Sequence, residues 1–114
     1  MTSVKRVYEK PSNEDGYRIL VDRLWPRGLS KEKSRIDLWI KEIAPSNELR
    51  KWYSHDPGKW EEFQNKYKAE LNNKSELVNE VKHLVKKNKK ITFLFSSKEE
   101  KLNNAFVLKK ILEK

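Results

Sequence analysis

The run ITFLF at positions 91–95 constrains this chain more than any other stretch. It is apolar at consecutive positions, so as a strand it presents apolar side chains to both faces of a sheet. Such a strand belongs in the middle of a sheet that is covered on both sides. The flanking segments supply the cover. Before it, Trp60, Phe63, Tyr67 and Leu71 fall along one helical stripe, and Leu77, Val78, Val81, Leu84 and Val85 form a second, cleaner one behind Ser75, a candidate cap. After it, Leu102, Ala105, Phe106, Leu108, Ile111 and Leu112 cover a wide helical face. Both early stripes are read as core. Helices on either side of a central strand predict an α/β domain, a compact three-layer sandwich with a small mixed or mostly parallel sheet flanked by helices. A chain of 114 residues suits one domain, residues 1–114, and contains no repeat, linker or low-complexity segment.

The first half reads as strands broken by turns. Residues 4–8 alternate apolar and charged side chains in the manner of a half-buried strand. Pro11, Asn13, Asp15 and Gly16 end it, and residues 17–24 form a second strand around Ile19, Leu20 and Val21. The connection is short for a helical crossover, so these two strands are expected to be antiparallel neighbours. Residues 36–44 fit either period: Ile36, Trp39, Ile40 and Ile43 at helical spacing, or Ile36, Leu38 and Ile40 as a strand, the latter preferred. Ser30 can cap a helical turn over residues 31–33, Ser46 a helix through Leu49, Trp52 and Tyr53, and Asp56 with Pro57 the helix that follows.

Composition excludes several chemistries. There is no cysteine, hence no thiolate nucleophile, disulfide or zinc site of the usual kind. No apolar run approaches the roughly 20 residues of a membrane span, and the N-terminus lacks the apolar core of a signal peptide, so a soluble cytoplasmic protein is expected. No metal-ligand cluster, Ser-His-Asp order, GxGxxG or GxxxxGK motif is present, and no cofactor is specified. The net charge of +9 favours polyanionic partners. It is spread, however: residues 1–57 hold 12 basic and 9 acidic side chains, residues 58–114 hold 14 and 8. The lysine-rich residues 82–90 fit a solvated helix end. Arginine is more selective. Arg6, Arg18, Arg23, Arg27, Arg35 and Arg50 all lie in the first half, as if kept where a planar bidentate donor is wanted, and at least two of them are expected at a shared site.

The stretch VDRLWPRGL at residues 21–29 identifies where that site would be. Pro26 lacks an amide hydrogen and Gly28 reaches backbone angles closed to other residues, so the chain leaves the sheet here in a turn loaded with Asp22, Arg23, Trp25 and Arg27. In open α/β sheets, ligands collect beyond the carboxyl ends of strands. The chain leaves strands in this way after residue 21 and again at residues 96–98. If the strands are parallel, Arg23, Arg27, Ser30, Ser96, Ser97 and Lys98 meet at one rim, suited to a phosphate, carboxylate or sugar-phosphate. The plainer alternative has Asp22 paired with Arg23 or Arg50, Trp25 in the core, and the serines as helix caps.

VDRLWPRGLSKE, the W-x-K-E-I-A-P-S of residues 39–46, LRKWY at 49–53 and HDPGKWEEF at 55–63 occur in matching order and spacing. Over nearly the whole chain, from about Arg6 to Leu112, it resembles the YeaO-like branch of the family catalogued as domain of unknown function 488. The resemblance implies a compact three-layer α/β domain, usually a whole small bacterial protein, and little chemistry, since the family is defined by sequence. Its characteristic positions fall on Asp22, Arg23, Trp25, Pro26, Arg27 and Gly28, on Ala44, Pro45 and Ser46, and on Trp52, His55, Asp56 and Pro57. Near the C-terminus, Lys98, Glu99, Asn103 and Asn104 match a Lys-acid pair and a His-Asn-Asn, but Leu102 stands where a histidine is common. If that histidine does acid-base work in relatives, this chain lacks the activity or uses another group; His55 is the remaining titratable candidate within a motif.

Three functional classes follow. The first is binding of a small phosphate-bearing or nucleotide-like ligand, with or without catalysis. It uses Arg23, Trp25, Arg27, Ser30, Ser96, Ser97, Lys98 and Asn103 as ligand contacts, and Asp22 or His55 as the acid-base group. The second is a nucleic-acid-binding module that stacks bases on exposed aromatics. The third is an accessory protein-interaction domain anchored by Trp and Arg.

Overall fold

The computed structural model describes residues 2–99 and 101–113. Its four strands are β1 (Thr2–Arg6), β2 (Tyr17–Leu20), β3 (Leu38–Trp39) and β4 (Ile91–Phe95), and its helices are α1 (Lys31–Ser34), α2 (Asn47–Tyr53), α3 (Trp60–Asn72), α4 (Ser75–Lys87) and α5 (Asn104–Leu112). The sheet has the order β1-β4-β2-β3, and every pairing is parallel. The fold is thus a compact α/β domain. Among the described residues no helix is long and apolar enough to cross a membrane.

All five residues of β4 are buried, between β1 on one edge and β2 on the other. Alternation then sorts its side chains. Ile91, Phe93 and Phe95 join Ile19 and Val21 in the main core, with Leu49 and Tyr53 of α2, Phe63, Tyr67 and Leu71 of α3, Val81 of α4 and Ala105, Leu108 and Leu112 of α5. Leu94 and Leu20 point the other way, to a thinner layer of Val7, Ile36, Trp25 and Leu29. One polar member of the run, Thr92, is satisfied there by donating its hydroxyl to the Asp15 carbonyl at 2.7 Å.

β1 and β2 are not antiparallel neighbours. They are parallel, and β4 lies between them. The connection of residues 7–16, tightened by a 3-10 turn at Asn13–Asp15, has to run back the length of a strand, roughly 15 Å, and across two strand spacings, roughly 10 Å, which ten residues can span without a helix. The strand with two apolar faces takes the centre, where both faces and both edges are covered. Strand lengths also shift: β1 spans Thr2–Arg6 rather than 4–8, and β2 stops at Leu20. Residues 36–44 divide into the short β3 and a 3-10 turn at Lys41–Ile43, so each of the two competing periods describes a part. Ser30, Ser46 and Asp56 cap as expected, whereas the N-cap of α4 is Lys74, with Ser75 inside the helix and no side-chain cap bond.

Two buried polar groups hold the layers in place. Tyr67, on α3 and fully buried, donates its hydroxyl to the Ile43 carbonyl at 2.6 Å, and burial, with Asp22 and Glu70 nearby, pushes its phenol well above the ordinary tyrosine range. It acts as a neutral donor only. Tyr67→Phe leaves that carbonyl dry and unpaired and is expected to cost about 1–3 kcal/mol in urea unfolding with an unchanged denaturant slope. A cost near zero would mean that Ile43 finds another donor. The second is the Asp15–Arg18 pair, buried between the turn before β2 and the end of α1.

Candidate functional site

Because all four strands are parallel, their carboxyl ends share one edge of the sheet. The segments that leave this edge, together with the C-terminal end of α2 and the first turn of α5, enclose a cleft of about 820 Å³. Its floor is organised by Asp22. One carboxylate oxygen of Asp22 accepts from the Ser96 amide at 2.8 Å and the Ser96 hydroxyl at 2.7 Å, and the other accepts from the Asn104 side-chain amide at 3.3 Å. The same Asn104 amide donates to the Val21 carbonyl at 2.9 Å. One acid therefore ties the ends of β2 and β4 to the first turn of α5.

Arg6, Arg23, Arg27, Arg50, Lys51 and Lys98 all line this cleft. Arg23 donates from its guanidinium to the Pro45 and Ala44 carbonyls, each at 3.1 Å, and so holds that turn against the exit of β2. Arg6 donates to the Ser97 carbonyl at 3.1 Å, and Arg50 to the Asn47 side chain at 2.9 Å. Arg27, Lys51 and Lys98 are exposed. Among the described residues, the ion pairs are Lys5–Asp15, Arg18–Asp15, Lys66–Glu62 and Lys109–Glu113, and none of the six cleft cations belongs to one. Among the described residues Asp22 is the one carboxylate in the lining, so six cations less one anion leave those residues a formal +5.

The walls are apolar and aromatic. Trp25 donates its indole N–H to the Leu29 carbonyl at 2.7 Å. Tyr53 donates to the Leu102 carbonyl at 3.0 Å and stacks on Phe63 with centroids 4.3 Å apart. Burial first, then the charges of Glu99 and Asp56, raise the Tyr53 phenol above its ordinary value, so it too stays protonated. His55 is exposed on the rim, 6.0 Å from the Tyr53 ring, and follows Ser54 in a pair of left-handed residues with φ of 57° and 46°. Non-glycine residues adopt that conformation at a cost, and the surrounding bonds, Ser54 N–H to the Arg50 carbonyl and Asp56 N–H to the Tyr53 carbonyl, both 2.9 Å, maintain it.

Of the residues singled out in the sequence, Asp22, Arg23, Trp25, Arg27, His55, Ser96, Ser97, Lys98 and Asn103 line the one cleft. Asn103 is buried and serves as the N-cap of α5, accepting from the Phe106 amide at 3.0 Å and donating to the Glu99 carbonyl at 2.9 Å. Ser30 does not line the cleft; its hydroxyl accepts from the Lys33 amide at 3.1 Å and caps α1. Of the remaining arginines, Arg18 is buried elsewhere and Arg35 ends α1 in a left-handed conformation. Arg6, Tyr8, Arg50 and Lys51 also line the cleft, beyond the residues that the sequence singles out. The clustering of arginine in the first half was their signal, and the antiparallel placement of β1 hid Arg6 by sending its end to the opposite edge. Leu102, which falls before α5, opens directly onto the cleft beside Asn103 and Asn104. No group of three or more His, Asp or Glu side chains able to hold a metal occurs among the described residues.

The family model described as "Inactive DUF488-N3 subclade" matches residues 1–114. Uncharacterized protein YeaO of Escherichia coli (strain K12) is 43% identical over 104 residues, which cover 91% of this chain and 90% of that protein. An uncharacterized protein of Mycobacterium tuberculosis (strain ATCC 25618 / H37Rv) is 47% identical over 75 residues, 66% of this chain and 64% of its own length, as is one of Mycobacterium bovis; the match thus spans just under two thirds of these mycobacterial relatives. No solved structure matches the chain. The whole-chain family match and the likeness to YeaO establish that the chain belongs to the YeaO-like branch of the DUF488 family.

Proposed function

We propose that the cleft binds a small phosphate-bearing or nucleotide-like anion, and that the chain works by binding rather than by turnover. The observation that carries this reading is the set of six cations facing one cleft with no ion-pair partner among the described residues. Cations gathered in a partly apolar recess repel one another, and an anionic ligand relieves that cost while gaining charge-assisted hydrogen bonds. Guanidinium forks match phosphate oxygens, and the exposed Arg27 and Lys98 are free to reach them. Aromatic walls give a flat apolar moiety a place to lie.

Binding without turnover is the preferred form for three reasons. The oxygens of Asp22 already accept three hydrogen bonds, a role that fits a strut better than a base. Leu102 faces the cleft at the position where the family resemblance implies a histidine. The matching family model is described as inactive. His55, on the rim, is then a ligand contact.

Thermal melting of wild type and Arg27→Ala with pyrophosphate, mononucleotides and phosphosugars tests this. A ligand at about 100 times its dissociation constant stabilises by roughly 2.7 kcal/mol, a shift of several degrees at this size. The wild type is expected to shift and the variant to lose most of the shift while keeping its unliganded melting temperature, because the Arg27 side chain holds nothing else in place. No shift with any anion at millimolar concentration would sink the reading, and ligand consumed during incubation would restore catalysis.

A further inference from the structure

Three large apolar side chains are exposed among the described residues: Leu24 at 61%, Tyr8 at 39% and Trp39 at 37%. They are gathered on the turn that follows β2. The Tyr8 hydroxyl donates to the Arg27 carbonyl at 2.9 Å, the Trp39 indole N–H donates to the Asp22 carbonyl at 2.7 Å, and Leu24 lies between those two anchor points. Trp39 also meets Trp25 of the cleft wall edge-on, with centroids 5.3 Å apart. Each exposed ring carries a cation over its face: Arg6 lies 4.7 Å from the Tyr8 centroid and Lys41 lies 5.6 Å from that of Trp39. The cleft is thus bordered by a collar of oriented aromatic rings, each with a positive charge beside it.

We propose that this collar extends the cleft into a track for single-stranded nucleic acid, with a terminal phosphate held in the cleft and neighbouring bases laid against Tyr8 and Trp39. The proposal rests on the cleft being an anion site. Stacking on aromatic rings accepts any base, and the cations beside the rings meet the sugar-phosphate backbone as it passes. Charge is available for this: Lys41 lies outside the cleft lining, on a chain of net charge +9. A mononucleotide in the cleft meets Tyr8, which belongs to its lining, and leaves Trp39 and Lys41, which lie outside it, bare. A duplex hides the base faces that the rings would meet, and a phosphopeptide offers phosphate without a succession of flat faces.

The test is fluorescence anisotropy with a short oligothymidylate that carries a 5′-phosphate and a label at its 3′ end, competed by thymidine monophosphate. The oligomer is expected to bind about tenfold or more tightly than the mononucleotide, with a salt slope steeper by the extra phosphates engaged. Trp39→Ala and, separately, Lys41→Ala are expected to remove most of that gain, and Lys41→Ala to leave competition by the mononucleotide unchanged. Lys41 is exposed, lies outside the cleft lining and caps no helix, so its variant reads the collar without the repacking that a lost indole could bring to Trp25. Equal affinity for mononucleotide and oligomer overturns the track and leaves the cleft reading standing, whereas no binding of either overturns both. A duplex that binds as tightly as the single strand removes stacking from the account, and a phosphotyrosine peptide that binds more tightly than the oligomer assigns the collar to a protein partner instead.

Discussion

Arg18→Met is expected to destabilise the fold by about 3–5 kcal/mol, because it removes one of the two cations on a buried carboxylate and the side-chain donor of two backbone carbonyls. Arg18 is only 3% exposed and Asp15 only 7%. The guanidinium donates to an Asp15 oxygen, to the Ser34 carbonyl at 2.8 Å and to the Arg35 carbonyl at 3.1 Å, which locks the 3-10 turn before β2 onto the end of α1. Asp15 also accepts from Lys5 at 3.1 Å and from the Ser12 amide at 2.9 Å. Methionine fills the volume but leaves two backbone carbonyls and much of the carboxylate's charge uncompensated. The double variant Asp15→Asn, Arg18→Met removes the stranded charge and is expected to recover part of the loss in urea unfolding. Equal losses in the single and double variants would mean that the carbonyl contacts, and not the ion pair, set the cost.

The same cluster predicts an acid limb of stability. Burial pushes the Asp15 carboxyl up, but the Ser12 amide and the charges of Lys5 and Arg18 outweigh it and hold the group below its ordinary value of 3.8. Below that pH the unfolded chain takes up a proton that the folded chain still refuses, so stability is lost as the pH falls through 3.8 toward the folded value and is fully present above it. Asp15→Asn is expected to flatten that portion of the stability curve.

Gly16→Ala is expected to cost about 3 kcal/mol or more, a fall in melting temperature on the order of 10 °C. Gly16 has φ of 67° and ψ of −135°, a conformation closed to residues with a side chain, and a Cβ there would lie 2.3 Å from the Lys90 carbonyl oxygen. That carbonyl accepts from the Tyr17 amide at 2.9 Å, the bond that sets the register of β2 on β4. The obstacle is backbone, so nothing can swing aside. Gly28→Ala provides the control. Its φ of 81° is also positive, but nothing lies within 4 Å of the added carbon, so only the conformational cost of about 1 kcal/mol applies. Equal melting temperatures for the two variants would sink the steric argument and leave backbone strain alone as the cause.

Much of the architecture is local chemistry and was legible in the chain. ITFLF could bury both its faces only as a central strand, and it does so as β4. Ser46 and Asp56 cap the elements they precede because a side-chain oxygen beside free amides satisfies them whatever surrounds it. Pro26 and Gly28 break the chain after β2 for equally local reasons, and the motifs that carry the family resemblance stand in that turn and beside it. Strand order was another matter. Nothing in residues 4–24 encodes that β4, from the far end of the chain, inserts between β1 and β2; that choice is made by covering a strand that is apolar on both sides. Once made, it turns β1 parallel and carries Arg6 and Tyr8 to the same edge as Arg23 and Arg27, while Ser30 is taken up by its own helix cap. The residues of the cleft are thus written into local sequence as types, but their assembly into one cationic recess is a property of the sheet. The segments that follow different strands share an edge only when those strands run the same way, and only tertiary packing decides that.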